Sequence, residues 1–96
     1  MPAYVIVDID ITDPEAYEKY KKATPITLAA HGGRFIARGG DVDVLEGDWT
    51  PGRVVIIEFD SVEAAKTWWS SPEYEAPKAL RQSASNASLI VVEGVS

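Results

Sequence analysis

Charged side chains alternate with isoleucine and valine along three segments of this chain that read as β-strands, and these charges are its clearest candidates for chemistry. Asp8, Arg38 and Glu58 lie in three different segments. A guanidinium group can hold a carboxylate or an enolate, and a nearby carboxylate can act as a base. The same three groups could instead form ion pairs between neighbouring strands, because buried charges are usually paired. The sequence leaves open whether Arg38 and Glu58 form a site or a structural ion pair.

His31 is the only histidine, and it precedes two glycines at the expected end of a helix. An imidazole there could transfer protons at the mouth of a cavity. It could equally be a capping or surface residue, since cations suit the C-terminal ends of helices. A chain with one histidine and no cysteine offers neither a multi-histidine nor a thiolate metal site, so we expect no metal. Haem ligation would need only the one imidazole of His31, but we expect no cofactor.

Three further candidates lie in the C-terminal half, where two short helices are expected. Trp69 could line a pocket with its ring, although packing against the sheet is the alternative. Tyr74 and Arg81 are seven residues apart, two turns along one helical face, so both could reach a common ligand. We therefore predict ligand contacts from Asp8, Arg38, Trp69, Tyr74 and Arg81, and proton transfer by Glu58 or His31.

The elements that must position these residues follow from periodicity and from turn signals. Alternation over residues 3–11 predicts a strand, and Pro14 suits the first turn of a helix that Pro25 should kink or restart. The remaining segments predict a strand interrupted at Gly39-Gly40, a strand, two helices and a last strand, over residues 34–47, 53–60, 62–70, 72–83 and 87–93. This order, β-α-β-β-α-β, predicts an α+β ferredoxin-like domain with an antiparallel sheet in the order 4-1-3-2.

Strand alternation divides the predicted sheet into two faces. The face expected under the helices is apolar, with Val5, Val7, Phe35, Ala37, Val55, Ile57 and Phe59. The other face mixes apolar and charged groups, with Ile6, Asp8, Arg34, Ile36, Arg38, Ile56 and Glu58. An exposed face with this much apolar surface usually marks an interface or a ligand site. A shift of one residue in the register of a strand would exchange its two faces.

Composition limits the partners. The 96 residues form a single domain spanning residues 1–96, and the net charge of -6 disfavours nucleic acid and anionic membranes. Asp8 interrupts the apolar N-terminus, so we expect no leader or membrane span and a cytoplasmic location. A chain this short buries only ~60% of its unfolded surface and has no cysteine for disulfides, so a homodimer is expected to add contacts.

The segments HGGRFIARGG, LEG, RVVIIEFDSVEAAKTWWSSPEY, LR and VVEG resemble the domain of unknown function 1330 family, of the dimeric α/β barrel superfamily. The resemblance spans nearly the whole chain and implies a ferredoxin-like protomer whose sheet pairs with that of a second copy. The positions carried over on the family's pattern are Arg38, Gly39, Gly40, Glu46, Arg53, Glu58, Trp69, Ser71, Tyr74 and Arg81.

Two functions from different classes are consistent with these residues. The first is a cofactor-independent enzyme or enzyme-like protein that acts on a small organic acid or carbonyl compound, in a cavity between sheet and helices. The second is a non-catalytic homodimer that binds a small molecule or responds to stress. A pocket that contains Arg38 and a carboxylate with a perturbed pKa would favour the enzyme.

Overall fold

Four strands and three helices form two layers in the computed structural model of the chain, which describes residues 1–95. The elements are β1 (Ala3–Ile11), α1 (Pro14–Ala30), β2 (Arg34–Arg38), β3 (Arg53–Phe59), α2 (Val62–Trp69), α3 (Pro72–Ala84) and β4 (Ser85–Glu93). All neighbouring strands are antiparallel, in the order β2-β3-β1-β4. The predicted ferredoxin-like order of strands is confirmed.

Short polar side chains start each helix. The Asp13 carboxylate accepts a hydrogen bond from the backbone N–H of Ala16, so Asp13 caps α1. Thr12 is not the cap, although Thr12 and Glu15 have the spacing of a capping box. Ser61 and Ser71 cap α2 and α3 in the same way. Such caps satisfy backbone donors that have no partner within the helix.

Prolines do not divide the helices as the sequence predicts. Helix α1 continues through Pro25 to Ala30, and α3 continues through Pro77 to Ala84. Strand β4 then begins at Ser85, two residues earlier than expected. Packing of the buried faces of α1 and α3 offsets the loss of one backbone hydrogen bond at each proline.

The second half of the predicted strand at residues 34–47 is wrong, because residues 39–52 form a loop. Gly39 donates the last backbone hydrogen bond, to Val54, and its φ of 71° turns the chain away from the sheet. This left-handed conformation suits glycine, which has no Cβ. Asp8 holds the far end of the loop by accepting hydrogen bonds from Trp49 Nε1 at 3.0 Å and from the Gly52 N–H at 2.8 Å.

The core lies between the three helices and one face of the sheet. Val5, Val7, Val55, Ile57 and Phe59 are buried there, as predicted for the first and third strands. Helix residues complete this core, with Tyr17, Leu28, Trp68 and Tyr74 each at most 2% exposed. No helix among residues 1–95 is both long and apolar enough to cross a membrane.

Candidate functional site

A β-bulge in β2 moves Arg38 to the helix side of the sheet. Phe35 lies opposite Ile57, but Ala37 then lies opposite Ile56 and Arg38 opposite Val55, so Ile36 is an extra residue. The bulge exchanges the two faces for every residue that follows it. The predicted positions of Ala37 and Arg38 are therefore wrong, and Arg38 does not share a face with Glu58 or Asp8.

Two contacts hold the Arg38 guanidinium against α1. It lies 4.3 Å above the centre of the Phe35 ring, and its Nη2 donates a hydrogen bond of 2.6 Å to the carbonyl oxygen of Lys21. That carbonyl would normally accept from the residue four positions later, which is Pro25 and has no N–H. The proline thus frees a helix carbonyl, and Arg38 takes the place of the missing donor.

Arg38 lies at the edge of a cleft between the helices and the sheet. Inside the cleft, the centre of a water molecule can reach only about 20 Å³. The cleft as it stands is therefore narrow, with room inside for about one ordered water. Its lining consists of Val7, Ile9, Tyr17, Tyr20, Lys21, Thr24, Phe35, Arg38, Arg53, Val55, Ile57, Trp68 and Leu89.

The charged groups of this cleft are all cationic. Lys21, Arg38 and Arg53 line it, and no carboxylate from residues 1–95 does. Neither arginine makes an ion pair with a described carboxylate, whereas Lys21 pairs with Glu18 on the outer surface of α1 at 3.0 Å. In a chain of net charge -6, a cleft with two unpaired guanidinium groups favours an anion.

Arg53 is partly buried, whereas Arg38 is exposed. The Nε of Arg53 is buried and has no hydrogen-bond partner within residues 1–95, and the Arg53 guanidinium carbon lies 5.7 Å from the centre of the Tyr17 ring. A Cβ atom at Gly39 would overlap this guanidinium, so the glycine makes room for it. A buried donor without a partner is costly unless a ligand or water supplies an acceptor.

Three buried residues, Tyr20, Tyr74 and Arg81, form a hydrogen-bonded chain behind the cleft. The hydroxyl oxygens of Tyr20 and Tyr74 are 2.7 Å apart, and Arg81 Nε donates to the Tyr74 hydroxyl at 3.3 Å. Burial, and then the adjacent Tyr74 hydroxyl, raise the pKa of Tyr20 well above its ordinary value. Burial also raises the pKa of Tyr17, although Arg53 opposes this change. The tyrosines are therefore hydroxyl donors at neutral pH.

Glu58 and Asp8 lie on the open face of the sheet, away from this cleft. Glu58 forms an ion pair with Arg34, its direct neighbour on β2. Asp8 holds the loop at Trp49 and Gly52. The alternative ion pairs of Arg38 with Glu58 or Asp8 are therefore not formed.

His31 and Trp69 also lie outside the cleft. His31 Nε2 is 3.6 Å from a carboxylate oxygen of Glu73, which connects the end of α1 to the start of α3. The Trp69 ring is 41% exposed and stacks with the Lys78 ammonium 3.6 Å from its centre. Trp69 does line a separate, open groove with Arg81, beside the start of β4.

Of the predicted site residues, the structure brings Arg38 to the cleft and places Tyr74 and Arg81 directly behind it. Tyr74 and Arg81 were predicted to reach a common ligand; in the structure they are joined to each other by a buried hydrogen bond. The sequence pattern did not single out the cleft residues Tyr17, Tyr20 and Lys21. Arg53 was named only through the family resemblance, although strand alternation also places it on the same face as Val55. No cluster of three or more potential metal ligands occurs within residues 1–95.

Comparisons with solved structures bear on this fold. A protein of unknown function from Rhodopseudomonas palustris is 23% identical, with a TM-score of 0.79 over 99% of this chain and 83% of that one. A dimeric ferredoxin-like protein of unknown function from Bacteroides fragilis is 16% identical, with a TM-score of 0.65 over 97% and 96%. SnoaB, a cofactor-independent oxygenase from Streptomyces nogalater, is 12% identical, with a TM-score of 0.68 over 99% and 94%.

At these identities the similarity shows the shared fold, and no curated protein matches the chain. The family comparison is more direct, because the model described as "Domain of unknown function (DUF1330)" matches residues 2–95. The chain therefore belongs to the DUF1330 family.

Proposed function

We propose that the cleft widens beyond its present room for about one water to bind a small, mostly apolar organic acid or carbonyl compound in its anionic form. We also propose that the protein is an enzyme or enzyme-like protein that needs no dedicated cofactor. The observation that carries this proposal is the pair of guanidinium groups, Arg38 and Arg53, that face an apolar cleft without a carboxylate partner. Guanidinium groups fixed beside an apolar cleft can stabilise a carboxylate or an enolate oxygen, and the buried Nε of Arg53 is the donor best shielded from water.

The reaction that this arrangement supports is enolisation. A proton leaves the carbon next to a carbonyl group for water, and the carbonyl oxygen gains the negative charge beside the guanidinium groups. A protein of similar fold is described as a cofactor-independent oxygenase, which is consistent with an enzyme that needs no cofactor. Glu58 and His31 do not line the cleft, so the proposal gives them no part in it, and their proton-transfer role remains a prediction from sequence.

Ligand charge provides the first test. Benzoate, benzamide and benzylammonium have similar shapes and different charges, so their dissociation constants can be compared by NMR titration of the labelled protein. We expect benzoate to bind at least about tenfold more tightly than benzamide, the order of one hydrogen bond to a charged group. Equal binding of all three compounds would contradict an anion site.

Charge-removing variants locate the site. Arg38→Gln and Arg53→Gln should each weaken benzoate binding by about tenfold, because each removes one charged donor. Arg34→Gln is the matched control, since Arg34 lies on the same strand as Arg38 but on the open face, paired with Glu58. If the control weakens binding as much as the other two variants, the anion binds elsewhere.

Turnover separates the enzyme from a binding protein. A small 2-oxo acid such as 2-oxobutyrate should exchange the hydrogens next to its carbonyl with D₂O faster in the presence of protein, as followed by NMR. Arg53→Gln should remove the acceleration. Binding without acceleration would favour the second candidate, a non-catalytic small-molecule-binding protein. The observation that favours this candidate is that the described residues of the cleft include no carboxylate or imidazole that could accept a proton, and that Tyr17 and Tyr20 are neutral.

We also propose that the open face of the sheet pairs with a second copy of the chain. Ile6 and Ile56 are neighbours at its centre, and Ile36 and Ile90 are 53% and 57% exposed on its outer strands. Contiguous apolar surface of this kind usually marks an interface, and a structural relative is described as dimeric. In analytical ultracentrifugation, Ile56→Glu should give a monomer. Ile26→Glu, on the exposed surface of α1, should leave the dimer intact.

A further inference from the structure

The buried hydroxyl groups of Tyr20 and Tyr74 are joined by one short hydrogen bond, in which either group could be the donor. Tyr20 and Tyr74 each carry one hydroxyl proton, and only one of these protons can lie between their oxygens. Tyr74 is fully buried, while Tyr20 lines the cleft. The direction of this hydrogen bond therefore decides whether Tyr20 has a proton left for a ligand.

Arg81 fixes the direction. A guanidinium group has donors only, so the Tyr74 oxygen must accept from Arg81 Nε. If Tyr20 also donated to Tyr74, the Tyr74 proton would have no acceptor among the described residues, since Arg81 and Tyr20 are its sole hydrogen-bond partners there. A buried donor without an acceptor is strongly unfavourable. When Tyr74 donates to Tyr20, Arg81 Nε and the Tyr74 hydroxyl both have partners, and only the Tyr20 proton is left without an acceptor within residues 1–95.

We propose that Arg81, acting through Tyr74, orients the Tyr20 hydroxyl as a hydrogen-bond donor into the cleft, so that the site selects ligands with an acceptor oxygen at its inner end. The proposal rests on the proposed function, since it names the group that the anionic ligand presents. Tyr20 touches the ligand, whereas Tyr74 and Arg81 are positioning residues. A donor chain that begins at a cation also strengthens its last hydrogen bond.

This inference restricts the ligand class further than charge alone does. A carboxylate or enolate oxygen can accept from Tyr20 at one end while Arg53 and Arg38 offer further donors. An ammonium group has no acceptor and would leave the Tyr20 proton without a partner, so we expect ligands that place an ammonium at the inner end to be rejected. In the absence of a ligand, a single water can accept the Tyr20 proton, which agrees with the space of about 20 Å³ inside the cleft.

Neutron diffraction tests the direction without any ligand. In crystals of the whole protein exchanged into D₂O, the Tyr74 deuteron should lie on the line to the Tyr20 oxygen, and the Tyr20 deuteron should point into the cleft. A Tyr20 deuteron on the line to the Tyr74 oxygen would overturn the proposal. The result does not depend on whether benzoate binds, so it can fail separately from the proposed function.

Benzoate affinity supplies a second, energetic test. Tyr20→Phe should weaken binding by about tenfold, as expected for a lost hydrogen bond to a charged group. Tyr74→Phe should weaken it by about threefold when Tyr20 is present, and should have no further effect in the Tyr20→Phe background. The matched control is Tyr4→Phe, which removes a hydroxyl from the open face. An equal effect of Tyr74→Phe in both backgrounds would show that Tyr74 acts through packing, which would refute the orienting role.

Discussion

Replacement of Gly39 by alanine should unfold the protein at a lower temperature and also disturb the anion cleft. The residue has a φ of 71°, and a Cβ atom there would overlap the guanidinium of Arg53. The left-handed backbone alone costs a residue with a Cβ about 1 to 2 kcal/mol. For a domain of this size, that loss lowers the melting temperature by about 5 to 15 °C. Displacement of Arg53 adds to the cost and should weaken benzoate binding.

Gly40→Ala is the matched control, because no atom lies within 4 Å of a Cβ at that position and its φ is not positive. Thermal unfolding followed by circular dichroism should place Gly40→Ala close to the wild type and Gly39→Ala well below it. Gly39→Asn separates the two causes, since asparagine tolerates the left-handed conformation but carries the Cβ that meets Arg53. Equal melting temperatures for Gly39→Ala and Gly40→Ala would refute the backbone argument, whereas an unchanged benzoate affinity of Gly39→Ala would contradict the position of Arg53.

Three other changes test the packing around the cleft. Pro25→Ala should raise the free energy of unfolding by up to ~3 kcal/mol, because it restores a helix N–H. That N–H competes with Arg38 for the Lys21 carbonyl, so the Arg38 side chain should become more mobile in NMR relaxation measurements. The folded pKa of Tyr20 lies above its unfolded value near 10.0, so stability in urea should fall as pH rises above 10, and Tyr20→Phe should reduce that slope. Thr27→Val should cost ~1 to 3 kcal/mol, because it leaves the buried Trp68 Nε1 without the acceptor it has at 3.1 Å. Thr27→Ser keeps the hydroxyl and should cost less, whereas equal losses would mean that shape matters more than the hydrogen bond.

The cleft has a charge opposite to that of the chain as a whole. The protein carries a net charge of -6, yet Lys21, Arg38 and Arg53 are brought together by α1, β2 and β3. Net charge predicts poor binding of nucleic acid, because that interaction involves an extended surface. It does not predict the field inside a narrow cleft, which depends on the few groups that line it.

Local patterns in the sequence were sufficient for most of the fold. Alternation in β1 and β3 identified the buried residues Val5 and Val55, because the period of a strand is fixed by its backbone. Pro14 and Pro72 marked the starts of α1 and α3, because proline suits the first turn of a helix. The predicted extension of β2 past Gly39 failed, because strand formation there would need a partner strand that the sheet does not provide.

The sequence by itself determined the order of the elements and the apolar face of the central strands, but it left open whether Arg38 is paired with a carboxylate. Tertiary structure alone decided where the cationic side chains point. One extra residue at Ile36 moves Arg38 to the helix side of the sheet. The alternation of residue types along β2 does not show this bulge, because the bulge is defined only by the pairing of β2 with β3. The candidate site exists because residues distant in sequence, Pro25 on α1 among them, meet across that bulge.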